Sequence, residues 1–174
     1  MNELCTDRLL IRRWREADLS PWAAMNADPE IREHLGGILT REQSDASVAR
    51  YEAAIEKRGY GWLAVEVRGS GEFVGFVGLD DVEEQDLVGG VEIGWRLARS
   101  AWGHGYATEA ARAVLAYGFD TLDLSEILAL TTAANLRSQA VMRRLGMSHD
   151  PAEDFDDAEG GRNVVFRLRR EDRA

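Results

Sequence analysis

The ten residues AWGHGYATEA (Ala101–Ala110) constrain this chain more than any others. Gly103 and Gly105 stand one residue apart, behind the strand-like run VEIGWRL (Val91–Leu97) and directly before an alanine-rich helix. Glycine at a helix mouth removes the Cβ from backbone whose N–H groups have no partner, and the helix dipole adds partial positive charge there. A strand–glycine–helix unit of this kind suits an anion, a phosphate above all. A tight turn without a ligand explains a lone G-x-G just as economically. Two familiar phosphate loops fit the sequence poorly. A Walker loop requires G-K-[ST] where Tyr106-Ala107 stand. A dinucleotide fold requires a third glycine, which is missing from GHGYAT, and a first strand ahead of it, whereas the strand here is roughly the fourth.

The rest of the chain reads as alternating elements. Leu4–Trp14 has the pattern of a first strand. Ser20-Pro21 and Asp28-Pro29 are N-cap and first-turn pairs. Thr40 with Gln43 forms a capping box for a long helix that stops near Gly59. Gly61–Val67 and Phe73–Leu79 form a hairpin around the turn Arg68–Glu72, followed by an acidic loop over Asp80–Asp86. After the glycine segment, Ala111, Val114, Leu115, Gly118 and Phe119 share one face of a helix over Thr108–Phe119. Glu126–Thr132 is a strand, and Asn135–Gly146 is a helix closed by its C-terminal glycine. Asp150–Arg162 is an acidic loop before a last strand, Asn163–Arg169. This order predicts an α/β domain with one mixed sheet and helices on its faces.

Composition narrows the setting. The chain has 174 residues, 45% of them hydrophobic, enough for one domain with a real core. Cys5 is the single cysteine, so no internal disulfide is possible and a packing role in a strand is expected. The start MNELCTDRLL lacks the basic and apolar regions of a signal peptide, and no apolar run reaches membrane-spanning length, so the cytoplasm is the expected location. With 21 basic and 31 acidic residues the net charge is −10, which disfavours nucleic acid and anionic membrane as partners.

WGHGYA (Trp102–Ala107) resembles the pyrophosphate loop of the GNAT acetyltransferase superfamily, [QR]-x-x-G-x-[GA], with Gly105 and Ala107 in its two small positions. The run EIGWRL…AWGHGYATEA, followed by N-x-x-S and M-x-x-L-G-M, looks like the RimJ/RimL branch, which acetylates protein N-terminal amines. Trp102 departs from the usual Gln or Arg, although that branch often carries an aromatic there. The resemblance covers nearly the whole chain. It implies a single GNAT domain over residues 1–174, with a mixed, mostly antiparallel sheet, helices on both faces and a splayed central strand pair. It also implies acetyl-CoA as donor, coenzyme A as product and an amine as acceptor.

The same resemblance assigns residues. Backbone N–H groups from Gly103 through His104, Gly105 and Tyr106 to Ala107 would cradle the pyrophosphate, with the His104 side chain projecting outward. A bulge at Gly94 would part the central strands, and backbone of Trp95, Arg96 and Leu97 would pair with the pantetheine arm. Asn135 would bind that arm as well as cap its helix, and Ser138 would face the coenzyme sulfur. Met142 replaces the tyrosine that protonates the thiolate in many relatives, which leaves Ser138 or water as the acid. Glu92, on the strand leading to the bulge, is the candidate general base, with Glu153 and Asp154 as rivals in the later loop. No metal ligand is assigned. A protein N-terminus is the first expectation for the acceptor. A small amine such as an antibiotic or polyamine comes second, and a coenzyme-A-binding protein without turnover is a third class. The oligomeric state stays open, a homodimer among the alternatives.

Overall fold

The computed structural model describes residues 3–82, 89–157 and 160–173. Its strands are β1 (Leu4–Cys5), β2 (Leu9–Arg12), β3 (Trp62–Val67), β4 (Glu72–Asp81), β5 (Val91–Leu97), β6 (Glu126–Thr132), β7 (Ser148–His149), β8 (Phe155–Asp156) and β9 (Arg162–Arg169). Its helices are α1 (Leu19–Asn26), α2 (Arg41–Arg58), α3 (Tyr106–Asp120) and α4 (Leu136–Arg144). The sheet runs β1-β2-β3-β4-β5-β6-β9-β7, with β8 also on β9. Every pairing is antiparallel except β5 with β6.

Strand parity sorts the core into two layers. Leu63, Val65, Val77, Leu79, Ile93, Ile127 and Ala129 face α3, whose Ala110, Ala111, Val114, Leu115 and Phe119 are all buried against them. Residues of the opposite parity, Ala64 and Phe76, pack with Trp14, Trp22, Met25 and Val48 under α1 and α2. Helices therefore cover both faces, as the mixed-sheet expectation required.

Local chemistry explains the element ends. Thr40 Oγ1 accepts from the Gln43 N–H while Gln43 Oε1 accepts from the Thr40 N–H, the anticipated capping box, and α2 ends on left-handed Gly59 (φ +81°). The single strand expected over Leu4–Trp14 is instead broken. Thr6 turns the chain by accepting from the Leu9 N–H on its Oγ1, and Arg12 ends β2 in a buried ion pair with Asp18 (2.7 Å) and Glu66 (2.8 Å). Ser20 is not an N-cap. Asp18 precedes α1, and its carboxylate accepts from Arg12 and from the Arg15 N–H rather than capping the helix. Asp28 does bond the N–H groups of Glu30 and Ile31, but only a turn follows. Asp80 and Asp81 belong to β4, while the remainder of that acidic run, residues 83–86, lies outside the described residues. Part of the later acidic loop is ordered as β8.

Candidate active site

β5 is the axis of the site. Its register with β4 runs without interruption from Asp81↔Val91 to Gly75↔Leu97, so no bulge stands at Gly94. The irregularity is in β4 opposite β3, where Val65↔Gly75 is followed by Glu66↔Phe73. Gly94 has another reason to be bare: a Cβ there would lie 2.9 Å from the Trp62 indole, which rests on it. The splay itself is present. β5 and β6 share one register pair, Glu92↔Leu128, and part beyond it.

The β5 backbone alternates between two uses. Ala98 N–H donates to the Val74 carbonyl at 2.8 Å, and the Arg96 carbonyl points at β4, where a Cβ on Gly75 would meet it at 2.0 Å. Because bonded pairs alternate in an antiparallel ladder, Glu92, Gly94 and Arg96 give their backbone groups to β4, and Ile93, Trp95 and Leu97 turn theirs to the gap. The Leu97 carbonyl already accepts from Trp102 Nε1 at 2.9 Å, with a second lone pair left. Of the expected pantetheine partners, Trp95 and Leu97 therefore reach the gap, whereas Arg96 does not. The Arg96 side chain leaves on the opposite face with Glu92 and Gly94.

Behind β5 the chain turns through Arg99–Ala101 and enters the glycine loop. Gly103 and Gly105 both lie in the left-handed region (φ +80° and +79°), and Gly105 is the N-cap of α3. A Cβ on Gly103 would meet nothing within 4 Å, and one on Gly105 only Arg8 Nη2 at 3.7 Å. The loop is thus a concave cradle of backbone at a fifteen-residue helix start, open on the side that a side chain would fill. Tyr106 and Ala107 line it, while His104 is exposed and stacks on Tyr106 (5.5 Å, 20°).

Arginines that the sequence pattern did not single out surround this cradle. Arg8, Arg112, Arg137 and Arg144 border the groove. Arg8 lies 4.7 Å over the Tyr106 ring and pairs with Glu109 at 2.6 Å, and Arg137 lies 4.4 Å over Trp102. Burial opposes ionisation of Glu109, but bonds from Thr6 Oγ1, the Arg8 N–H and the Arg8 guanidinium outweigh it and hold the carboxyl below its ordinary range. Among these arginines, Arg112 and Arg144 border the groove beside the Arg8–Glu109 pair. These groups fit the pyrophosphate of a coenzyme.

The groove encloses about 2100 Å³. Single-ligand pockets hold roughly 300–1,000 Å³, so this one has room for a donor and an acceptor in line. On the far wall Asn135 Oδ1 accepts from the Ser138 N–H (3.1 Å) and its Nδ2 donates to Thr131 Oγ1 (3.0 Å), and both Asn135 and Ser138 line the groove. Met142 is buried and offers no proton. On the near side Glu92, Trp62, Phe76, Tyr51 and Arg96 line the same space. Glu153 and Asp154 are elsewhere. Glu153 pairs with Arg167 (2.7 Å), and Asp154 pairs with His149 (2.8 Å) and caps the Val165 N–H, so neither carboxylate is brought to Glu92.

A family model described as Acetyltransferase (GNAT) domain matches residues 8–148. The chain is 33% identical over 153 residues to YkkB, an uncharacterized protein of Bacillus subtilis (strain 168), covering 84% of this chain and 86% of that one. A crystal structure of an acetyltransferase from Agrobacterium tumefaciens str. C58 superposes with a TM-score of 0.83 at 28% identity, covering 98% of this chain and 95% of that one. RimL, a ribosomal-protein α-N-acetyltransferase solved in complex with coenzyme A, superposes with a TM-score of 0.78 at 16% identity, covering 94% and 95%.

Proposed function

Since the chain belongs to the GNAT acetyltransferase family and its acyl donor is acetyl-CoA, we propose that it transfers the acetyl group directly to a primary amine, first of all a protein N-terminal α-amine. One observation carries the direct route. A single groove runs from the glycine cradle, through the β5–β6 gap, to Glu92 and the aromatic side chains behind it. The RimJ/RimL-like run of motifs supports the α-amine.

Acetyl-CoA, when bound, supplies the thioester acyl group. Gly103–Ala107 and the α3 N-terminus hold the pyrophosphate, with Arg8, Arg112 and Arg144 adding charge complementarity. Backbone of Trp95 and Leu97 orients the pantetheine arm as a neighbouring strand would. Glu92 would take a proton from the acceptor nitrogen, directly or through one water, and Ser138 Oγ would supply one to the coenzyme sulfur. An α-amine has a pKa near 8 against roughly 10.4 for lysine, so a modest base suffices at neutral pH.

A second reading, a small amine as acceptor, is favoured by one feature. The segment between α1 and α2 borders the groove and reaches its far wall, with His34 Nδ1 3.1 Å from Thr132 Oγ1 and Glu30 3.7 Å from Arg137. Such a bridge narrows the acceptor entrance. Release of free thiol from acetyl-CoA, followed across N-terminal peptides, aminoglycosides and polyamines, tests both readings. Turnover confined to the last two groups refutes the first reading, and donor binding without turnover on any amine refutes the enzyme.

A further inference from the structure

Arg96 carries its guanidinium into aromatic surroundings. Its guanidinium lies between two rings, 5.1 Å from the Trp22 centroid and 5.2 Å from that of Phe76. Nη1 donates to Asn26 Oδ1 at 2.9 Å, and Nε is buried without a hydrogen-bond partner. Among the described residues no carboxylate pairs with it. Arg12, 3% exposed, shows the usual solution, with Asp18 and Glu66 both within 2.8 Å. For Arg96 the nearby charge is instead a second cation, Arg32, which is itself held by the carbonyls of Leu35 and Gly37. Burial pushes the Arg96 pKa down to about 10, with Arg32 adding to the fall against a favourable Tyr51. An unneutralised guanidinium in such a place is costly, and a chain with 31 acidic residues had ample means to neutralise it.

The position of Arg96 gives the cost a use. Arg96 is only partly buried and lines the groove with Tyr51 and Trp62. It projects from the same face of β5 as Glu92, four residues and roughly 13 Å along the strand from it, with Gly94 midway. An acceptor whose amine lies near Glu92 would extend over the Trp62 indole toward this cation. The planar fork of an arginine, with unused N–H donors, matches a carboxylate in particular.

We propose that the acceptor carries a carboxylate in addition to its amine, and that Arg96 is the specificity residue that receives it. This rests on the reading of the groove as an acetyltransferase site. Two sources of the carboxylate share this chemistry: the α-carboxylate of a free amino acid, or an acidic first side chain of a peptide N-terminus. Polyamines and aminoglycosides, which carry no anion, are disfavoured.

The experiment compares kcat/KM of the unmodified protein for matched acceptors. These are free glutamate and aspartate against their α-amides, and peptides beginning with Glu or Asp against those beginning with Gln or Asn. At least a ten-fold preference for the carboxylate form is expected in one pair, equivalent to about 1.4 kcal/mol. Preference in the free pair assigns the α-carboxylate, and preference in the peptide pair assigns the side chain. Equal rates in both pairs overturn the proposal. Arg96→Lys should retain part of the preference and Arg96→Gln should abolish it, while coenzyme affinity stays unchanged. A readout independent of turnover separates this proposal from the proposed function. N-acetylglutamate titrated into the coenzyme-A complex should bind at least ten-fold more tightly than its diamide, followed by tryptophan fluorescence or calorimetry. If no amine turns over but that difference persists, the proposed function fails and the anion site stands. If the difference is absent, the anion site fails.

Discussion

Gly59, Gly103 and Gly105 make an internally controlled test of the phosphate cradle. Their φ angles are +81°, +80° and +79°. An added Cβ would meet nothing within 4 Å at the first two, and only Arg8 Nη2 at 3.7 Å at the third. Alanine at each position therefore carries the left-handed strain and little steric conflict, about 1–2 kcal/mol. A chain of this length loses roughly 2–4 °C of Tm per kcal/mol, so each variant should melt about 2–8 °C below the parent. Affinity for the coenzyme should separate them. Gly59 closes α2 and does not border the groove, whereas Gly103 and Gly105 line it. Relief of the strain at either loop glycine would rotate its peptide away from the anion, and Gly105→Val adds bulk in the cradle. Isothermal calorimetry with acetyl-CoA should show a Kd at least ten-fold weaker for Gly105→Val, about 1.4 kcal/mol, and a parental Kd for Gly59→Ala. A folded Gly105→Val protein that binds acetyl-CoA as tightly as Gly59→Ala does would refute the cradle.

Further predictions concern proton transfer and the loop's anchorage. Glu92→Gln keeps shape but removes basicity, so kcat/KM with an α-amine should fall at neutral pH and recover toward about pH 9, where the amine is already neutral. A pH–rate profile superimposable on the parent's would remove Glu92 from the mechanism. Ser138→Ala should lower kcat roughly ten- to a thousand-fold with coenzyme affinity intact, and an unchanged kcat would hand the proton to water. Glu109 has a folded pKa below its unfolded one, so its contribution to stability is fully present above the unfolded value and lost as pH falls through the folded value. Glu109→Gln should therefore flatten the acid limb of the Tm–pH curve below about pH 4.5, and parallel curves for variant and parent would count against the tether.

Much of this was readable where the relevant physics is local. The capping box at Thr40 and Gln43, the left-handed end at Gly59 and the bare backbone of Gly103 and Gly105 each depend on a few successive residues. Features set by distant partners were not readable. The Thr6–Arg8 turn exists because Glu109, about a hundred positions away, collects the Thr6 hydroxyl and the Arg8 N–H. Gly94 reads as a bulge glycine because the ring that lies on it comes from Trp62, two strands over. Arg96 is a different case. Alternation along VEIGWRL already puts it with Glu92 and Gly94, away from Trp95 and Leu97, so parity was the available signal for its separate duty. Net charge was the poorest guide, since a total of −10 conceals a groove whose lining carries five arginines and five carboxylates.

The solitary register pair between β5 and β6 has a mechanical consequence. The sheet is two plates, β1–β5 and β6–β9, that meet in mid-sheet along a nearly open seam. A ligand that supplies the missing hydrogen bonds along that seam is a structural member of the protein as well as a reactant. By mass action, donor at a hundred times its Kd would add about 2.7 kcal/mol to the stability of the folded form. At 2–4 °C per kcal/mol, that is roughly 5–11 °C in Tm. The durability of the molecule is thereby coupled to the supply of its own donor.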